Sequence, residues 1–416
     1  MRVTGIEFRP GCCDSNNWLI DEDIRCIALI AQAFAVDKTV LTFLSEPILA
    51  SATEFLVTHI SDTTRIEAFV KDCALMRAFL ITGPRQGEVV DIPAPTPSAG
   101  EVLISVERVG ICGTDVEFFN GDMAYLHSGH AKYPMQIGHE WCGTVVEVGA
   151  GVDASWIGKR VTGDTMLGCQ NCQRCTTGYQ YLCEDRFEIG IRNGYPGALA
   201  EQLVVPVFAL HQIPDHLDAT LGALVEPGGN SLRSVESAQV RAGERLLIFG
   251  PGTIGLLCAL FAVEQGAEVH LVGRAGRSLD YAKNFASHNG IAGVWSMEEI
   301  PDLPFHGIID ATFSTEVPAR ALELLEPGRR VVYIGISGEP STIDSRTLVL
   351  KDITAVGILS ASPGLTGTIE KYGNGSVNPS ELVAAVITLD QVAGALSGER
   401  PHGSGAGPKI HIDPRA

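Results

Sequence analysis

The sequence lacks a long hydrophobic run and lacks an excess of basic charge. Its apolar stretches are broken by charged residues well short of the roughly 20 residues that a membrane-spanning helix needs, and its first ten residues hold no continuous apolar signal segment. Lys and Arg number 30 against 49 Asp and Glu, a net charge of −19. Nucleic-acid binding needs basic surface. We therefore expect a cytoplasmic protein that binds neither membranes nor nucleic acid.

A disulfide pattern is also missing, although the chain has 11 cysteines. Four of them lie within one short segment and the others are scattered. In a large chain with no export signal, this distribution indicates reduced thiols and metal ligands. With 416 residues, 45% hydrophobic and 19% charged, the chain is globular and too long for one ordinary core, so we expect two domains.

Residues 1–75 show no ligand constellation. A helix is predicted over 24–36, and the early cysteines have no metal-binding spacing; these are Cys12, Cys13, Cys26 and Cys73. Two interpretations stay open for this N-terminal extension: an added helical cap, or upstream translation that precedes a start at Met76. We favour the second, because a strand begins cleanly at Met76.

From Met76 onward, short alternating segments such as 101–110 are punctuated by Gly and Pro, which predicts a β-rich lobe. From 246 onward, apolar strands alternate with helix-like runs, which predicts a parallel doubly wound sheet. Residues 379–383 and 389–393 read as helix starts, and 409–412 as a last strand. The predicted fold class is α/β.

The most specific motif is a run of four cysteines spaced C-x2-C-x2-C-x7-C: Cys169, Cys172, Cys175 and Cys183. Thiolates at this spacing can close a tetrahedral, all-cysteine zinc site on one loop. Such a zinc has no open position, so this site is predicted to be structural rather than catalytic. A zinc-ribbon nucleic-acid module is disfavoured by the acidic charge. We call residues 168–183 the cysteine lobe.

A glycine-rich turn, Gly-Pro-Gly-Thr-Ile-Gly, follows the apolar segment 246–249 and opens a helix-like run. Gly-x-Gly-x-x-Gly between a strand and a helix is typical of dinucleotide binding. The first glycine permits a tight turn, and the second lets the backbone approach a pyrophosphate at the helix N-terminus. The residues predicted to bind cofactor here are Gly250, Gly252, Thr253, Ile254 and Gly255.

The end of the next predicted strand, 268–272, bears on the choice of cofactor. NAD-binding proteins usually place Asp or Glu there to accept the ribose 2′-OH. This chain has Gly273 and Arg274, then Arg277, and no carboxylate. An arginine pairs with a 2′-phosphate, so we favour NADP. NAD remains possible if both arginines are solvated loop residues.

A second metal site has to be assembled from residues that are far apart in sequence. Cys112, the adjacent His139 and Glu140, and Glu226 supply one thiolate, one imidazole and one or two carboxylates. This donor set suits a zinc ion that keeps an open position. Singly, each residue has an ordinary structural explanation. Together with the cysteine lobe and the glycine turn, they predict a catalytic zinc.

These motifs together resemble the zinc-dependent medium-chain dehydrogenase/reductase family over about residues 76–416. The resemblance implies a GroES-like catalytic domain over 76–226, a Rossmann domain over 227–358 and a return to the catalytic domain over 359–416. It implies that Cys112, His139 and Glu226 ligate the catalytic zinc. In some members the residue matching Glu140 approaches or ligates the same metal.

Glu226 followed by Pro227 is similar to the polyol, sugar and threonine dehydrogenase branches. Thr114 matches the family position of a proton-relaying hydroxyl. A histidine often follows three residues later in the family, whereas this chain has Glu117, which either relays the proton or marks a different path. Asp115 matches a motif position, and we assign it no catalytic role.

The resemblance implies an enzyme with two zinc ions per chain that interconverts a secondary alcohol, on a sugar, polyol or cyclitol, and its carbonyl form. One alternative is a broad-specificity NADPH-dependent ketone or aldehyde reductase that uses the same residues. Another is a catalytically silent scaffold that keeps only the structural zinc; intact Cys112, His139 and Glu226 argue against it. Family members are commonly homodimers or homotetramers, so we expect one of these.

Overall fold

The computed structural model describes residues 74–416, and within it residues 77–90 and 95–416 form one compact unit. The helix predicted over 24–36 and the early cysteines lie outside the described residues. Among residues 74–416, no helix is long and apolar enough to cross a membrane.

The described strands and helices have the following bounds. The strands are β1 Leu75–Gly83, β2 Gln86–Pro93, β3 Glu101–Gly110, β4 Met135–Gln136, β5 Glu140–Val148, β6 Arg160–Gly163, β7 Met166–Leu167, β8 Phe187–Glu188, β9 Gln202–Pro206, β10 Leu210–Gln212, β11 Arg245–Phe249, β12 Glu268–Gly273, β13 Gly293–Ser296, β14 Phe305–Asp310, β15 Leu325–Tyr333, β16 Thr354–Gly357, β17 Val383–Ile387 and β18 Lys409–Ile412. The helices are α1 Gly113–Asn120, α2 Ala124–Ser128, α3 Gln173–Thr176, α4 Ala219–Ala223, α5 Val225–Ala238, α6 Thr253–Glu264, α7 Arg277–Ala286, α8 Val317–Leu324, α9 Ser345–Leu350, α10 Leu365–Gly373 and α11 Val392–Leu396.

A mixed sheet of seven strands has the order β10-β6-β5-β3-β18-β17, with β9 also paired to β3. β3 is its centre, because the alternating apolar side chains of Val102, Ile104 and Val106 are fully buried in one cluster with Trp141. β18 runs antiparallel to β3 and parallel to β17. The last residues of the chain therefore rejoin the sheet that begins near residue 101, and they do so beside β3.

The second sheet is wholly parallel, with the order β13-β12-β11-β14-β15-β16. Counted from β11 this is 3-2-1-4-5-6, the doubly wound order. Both faces of β11 are covered: Leu246 and Ile248 lie in one buried cluster, while Leu247 and Phe249 lie in another. This double burial explains why the strand reads as continuously apolar. The predicted α/β fold class is confirmed.

One local prediction is wrong. Residues 379–383 were expected to begin a helix, but only Ser380–Leu382 form a 3-10 turn, and Val383 starts strand β17. The sequence Val-Ala-Ala-Val-Ile of β17 pairs with β18, so a β-branched edge strand replaces the helix. The helix start predicted at residues 389–393 is closer to the structure, because a 3-10 turn over Leu389–Gln391 leads directly into α11.

Helix α5 lies between the two sheets. Ten of its residues are buried, and Leu232 and Val235 belong to the cluster that also holds Ile248 of the parallel sheet. A Cβ on Gly228 would collide with the Tyr372 hydroxyl, and one on Gly229 would lie 2.9 Å from the Ala361 carbonyl oxygen. The glycine pair therefore lets α10 and the turn before it pack closely on α5.

Candidate active site

The four cysteines of the lobe come together as predicted. Their sulfur atoms lie within 4.8 Å of one another, and all four thiols are free. The Sγ atoms of Cys169 and Cys175 are 4.0 Å apart, and those of Cys172 and Cys183 are 3.8 Å apart. A tetrahedron with Zn–S bonds of about 2.3 Å has edges of about 3.8 Å. The donor set and its spacing fit a zinc ion, whereas a disulfide needs sulfurs about 2.05 Å apart.

Hydrogen bonds within the cysteine lobe favour the thiolate form of Cys169, and a second set of contacts connects the lobe to α5. Backbone N–H groups of Asn171 and Cys172 lower the pKa of the Cys169 thiol to about 7, which favours the metal-binding thiolate. Buried Tyr181 accepts a hydrogen bond of 3.2 Å from Arg233 of α5, whose guanidinium also lies 4.8 Å from the centre of the tyrosine ring. The lobe is thereby linked to the helix that carries Glu226.

Three of the predicted catalytic ligands also meet. One ligand atom each of Cys112, His139 and Glu140 lies within 4.8 Å of the others. Cys112 is the N-cap of α1, and Glu140 is the first residue of β5, directly after His139. A thiolate, an imidazole and a carboxylate at this separation fit a zinc ion.

Asp115 has a positioning role that the sequence did not reveal. It is fully buried, and its Oδ2 accepts a hydrogen bond of 2.8 Å from the Cys112 backbone N–H. Its Oδ1 lies 3.6 Å from Nδ1 of His139, and neither atom has a hydrogen-bond partner within residues 74–416. Burial is the largest influence on the pKa of His139 and lowers it, but the Asp115 carboxylate and the Cys112 thiol together raise it by more, leaving it well above the ordinary value. A carboxylate behind a metal-binding histidine orients the ring.

Lys409 was missed entirely by sequence reasoning. Its buried Nζ donates to both carboxylate oxygens of Glu140, at 2.8 and 2.7 Å, and to the Ile111 carbonyl at 2.9 Å. Burial is the largest influence on the pKa of Lys409 and lowers it, but Glu140, Cys112 and Asp115 together raise it by more, so the lysine stays charged. Glu140 therefore has a cation partner in addition to the metal cluster. A period-2 strand pattern carries no hint of this contact, which joins residues 269 positions apart.

Glu226 lies outside the three-residue cluster but within its electrostatic reach. It is buried in the first turn of α5, and burial raises the pKa of its carboxyl to about 7. This net value also includes a lowering of the pKa by His139 and Lys409 and a raising by Glu140. Its Oε1 accepts a hydrogen bond of 3.0 Å from the side-chain amide of Asn230. The structure thus brings Glu226 to the site without placing it among the nearest donors.

Thr114 and Glu117 lie on α1, one turn apart, and both are partly buried. Burial raises the pKa of Glu117, and the nearby Asp122 carboxylate raises it further. A group of raised pKa can hold a proton nearer neutrality than an exposed glutamate does. Residues three apart in sequence are neighbours on the surface of a helix.

Each glycine of the turn after β11 has a distinct role. Gly250 has φ of +95°, which favours glycine, and a Cβ on Gly255 would collide with the Gly250 carbonyl oxygen. Gly252 is the N-cap of α6, and a Cβ there would meet no atom of the described part of the chain within 4 Å. The first and third glycines close the turn, and the space beside the second fits a pyrophosphate at the start of α6. Thr253 and Ile254 begin that helix.

The arginines sit at the same edge of the sheet. β12 pairs with β11 in register Val272 with Phe249, so its end at Gly273 lies beside the glycine turn. Arg274 follows and is exposed, and Arg277 is exposed at the first position of α7. Gly276 between them has φ of +133°. The helix α7 was not foreseen, and its N-terminus adds a favourable end for an anion.

Comparison with known proteins gives a consistent result. The family model described as alcohol dehydrogenase GroES-like domain matches residues 98–215, and that described as zinc-binding dehydrogenase matches residues 253–372. The L-threonine 3-dehydrogenase of Saccharopolyspora erythraea is 32% identical over 295 residues, covering 68% of this chain and 83% of the relative.

Two solved structures are similar over most of the chain. The rspB alcohol dehydrogenase of Escherichia coli CFT073, solved with NADH, has a TM-score of 0.73 and 26% identity, covering 82% of this chain and 99% of its own. A zinc-binding dehydrogenase of Sinorhizobium meliloti 1021, solved with NADP, also has a TM-score of 0.73 and 26% identity, covering 82% of this chain and all of its own.

Proposed function

The chain belongs to the zinc-dependent medium-chain dehydrogenase/reductase family of oxidoreductases, and on that premise we propose that it oxidises a secondary alcohol of a sugar, polyol or cyclitol to the carbonyl compound with NADP. The observation that carries the proposal is the meeting of Cys112, His139 and Glu140 within 4.8 Å of one another, apart from the cysteine lobe. The lobe has four thiolates and no room for substrate.

Cys112, His139 and Glu226 would hold the catalytic zinc, and Glu140 would approach or ligate the same ion. When bound, the zinc supplies a Lewis acid that makes the substrate hydroxyl more acidic. Asp115 orients His139, and Lys409 neutralises Glu140 so that its charge is held in the buried site. The Thr114 hydroxyl accepts the substrate proton and passes it toward solvent, and Glu117 on the same helix receives it.

The dinucleotide would lie along the carboxyl edge of the parallel sheet. Backbone around Gly252 and the N-terminus of α6 would bind the pyrophosphate, while Arg274 and Arg277 would pair with a 2′-phosphate. The cofactor supplies the hydride acceptor. NADP is favoured because no carboxylate follows β12. NAD is the competing choice, since one similar structure was solved with NADP and another with NADH.

The substrate class rests on two observations. Glu226 is followed by Pro227, as in the branches that act on polyols, sugars and threonine, and a relative is named L-threonine 3-dehydrogenase. The second candidate function is the opposite reaction, reduction of ketones or aldehydes with NADPH, which uses the same residues. The only observation that favours it is the pair Arg274 and Arg277, because they suit the 2′-phosphate of NADPH. Both directions are therefore measured together.

The test is a substrate panel of sugars, polyols, cyclitols, threonine and simple secondary alcohols, with the matching carbonyl compounds, run separately with NAD and NADP. We expect turnover of a secondary alcohol with NADP, and none by the Cys112→Ser variant. Full activity of Cys112→Ser would overturn the zinc mechanism. A preference for NAD above about tenfold, roughly 1.4 kcal/mol, would overturn the cofactor assignment.

The proposal includes a cytoplasmic homodimer or homotetramer. β16 is an edge strand of the parallel sheet, and Val349 and Leu350 of the preceding helix α9 are 78% and 80% exposed. An open strand edge is a template for pairing with a second chain, and a two-fold axis would pair two such edges. Sedimentation at micromolar concentration should show a dimer or larger species that Val349→Glu with Leu350→Glu dissociates. A wild-type monomer would contradict this.

A further inference from the structure

Helix α5 carries an amide beside the Glu226 carboxylate. Residues 226 and 230 are four apart and therefore share one face of the helix. The Asn230 Nδ2 donates to Glu226 Oε1 at 3.0 Å and approaches the Glu226 carbonyl oxygen at 3.4 Å. Glu226 is only 8% exposed, so water does not compete freely for that oxygen. One of its two carboxylate oxygens is thus taken within the helix.

The helix backbone around this pair is fixed from the other side. Gly228 and Gly229 pack against Tyr372 and the Ala361 carbonyl so closely that neither position has room for a Cβ. The Asn230 carbonyl also accepts a hydrogen bond of 2.8 Å from the Ser234 hydroxyl. With the backbone held, the remaining freedom of Glu226 is that of its own side chain, which the amide of Asn230 restrains.

We propose that Asn230 is a positioning residue that reserves Oε1 of Glu226 and leaves Oε2 as the single oxygen available to the catalytic metal. The proposal rests on the proposed function, in which Glu226 is a ligand. Glu226 then acts as a one-oxygen ligand, which preserves the open position that substrate needs. Hydrogen-bond partners of ligating carboxylates commonly govern metal affinity in this way, by about 10- to 100-fold.

The experiment measures the affinity of the full chain for catalytic zinc by chelator competition, with lobe zinc counted separately. Asn230→Leu keeps the approximate volume and removes the donor, and we expect about 10- to 100-fold weaker binding at the catalytic site only. Cobalt(II) in that site should show an altered visible spectrum. Asn230→Ala, which suits a helix, serves if the leucine variant does not fold.

The matched control is Asn289→Leu. Asn289 also donates to a glutamate, Glu381, at 3.2 Å and to the carbonyl four residues earlier at 2.9 Å, but it lies away from the metal cluster. This variant should leave zinc affinity and the cobalt spectrum unchanged. Wild-type affinity and spectrum in a folded Asn230 variant would overturn the proposal, because a helix contact alone would then explain the pair.

A double-mutant cycle separates this inference from the proposed function. In a Glu226→Gln background, Asn230→Leu should have no further effect on zinc affinity if it acts through Glu226. An equal effect in both backgrounds would overturn the inference. If Glu226→Gln itself leaves affinity unchanged while Cys112→Ser abolishes it, the assignment of Glu226 fails along with the inference, and the zinc mechanism stands.

Discussion

Three ionisable groups at the cluster of predicted metal ligands each face a specific neighbour. Lys409 neutralises Glu140, Asp115 faces His139, and Asn230 donates to Glu226. In a buried site an unpaired charge is costly, so these contacts hold the cluster in place before any ligand binds. At the scale of residues, the site is a set of paired side chains rather than a collection of separate ligands.

The Lys409–Glu140 pair gives a stability prediction. In chelator-treated protein, Lys409→Met should lower the free energy of unfolding by about 3–5 kcal/mol, because it leaves a buried carboxylate without its cation. The measurement is urea unfolding of variant and wild type under the same conditions. Adding Glu140→Leu to that variant should restore most of the loss, since an apolar pair of similar volume is often neutral. An unchanged free energy of unfolding in Lys409→Met would contradict the buried ion pair between Lys409 and Glu140.

The exposed Arg274 gives a specificity prediction. Arg274→Ala should weaken binding of NADP about tenfold, roughly 1.4 kcal/mol, and leave binding of NAD unchanged, because only NADP offers a 2′-phosphate. Titration of cofactor fluorescence measures both. Lys283→Ala, which removes an exposed cation from the last turn of α7, is the control and should change neither. Equal weakening of both cofactors would contradict a contact to the 2′-phosphate.

At the scale of elements, the catalytic cluster lies where four elements converge: the N-terminus of α1, the start of β5, the start of β18 and the first turn of α5. β18 lies beside β3, and β3 pairs Gly110 with both Glu140 and His411. A Cβ on Gly110 would collide with the Glu140 carboxylate. The glycine gives that side chain room to lie over β3, toward Lys409.

The glycine turn gives a pair of contrasting variants. Gly252→Ala should weaken dinucleotide binding while lowering stability by less than about 1 kcal/mol, because its Cβ would meet no atom of the described residues within 4 Å and would enter the proposed pyrophosphate space. Gly255→Ala should itself destabilise the fold by about 1–3 kcal/mol, because its Cβ meets the Gly250 carbonyl. Thermal unfolding with and without NADP distinguishes the two. Unchanged NADP binding in Gly252→Ala would place the pyrophosphate elsewhere.

Local patterns predicted some elements well and others poorly. The alternating segment 101–110 coincides with β3, and the segment 409–412 coincides with β18. The helix α1 was missed because its eight residues are too few for a clear apolar period. The helix α7 was also missed, although Leu279, Ala282 and Phe285 recur at helical spacing. The helix expected at 379–383 failed because pairing with β18 outweighed local propensity.

Some residues of the candidate site could also be predicted from the sequence, and others could not. The cysteine lobe could be predicted because its ligands are neighbours in sequence, and zinc spacing is a local signal. The contact of Asp115 with the Cys112 backbone could have been predicted, since a carboxylate three residues after the N-cap residue can form a capping box with that residue. The contact of Lys409 could not, because its partner Glu140 is 269 positions away and is selected by sheet register, which has no signature in one sequence. Asn230 lies only four residues from Glu226, but the sequence analysis did not single it out.

At the scale of the whole molecule, the predicted metal ligands and the predicted cofactor site lie on different sheets, and α5 packs between these sheets. The mixed sheet bears Glu140 and Lys409, the parallel sheet bears the glycine turn, and α5 carries Glu226 while binding Tyr181 of the lobe through Arg233. Substrate and cofactor must meet where these parts converge. We therefore propose separable roles for the two predicted metal sites, with the lobe supporting the fold and the cluster at Cys112 performing the chemistry.

The central claim is that Cys112 and its neighbours hold a catalytic zinc distinct from the zinc of the lobe. The most direct measurement is metal content per chain together with alcohol oxidation, for wild type, Cys112→Ser, Cys172→Ser and the buried control Cys258→Ser. We expect two zinc ions in wild type and in the control. Cys112→Ser should keep one zinc and lose activity, while Cys172→Ser should lose the lobe zinc. Two zinc ions with full activity in Cys112→Ser would contradict the account.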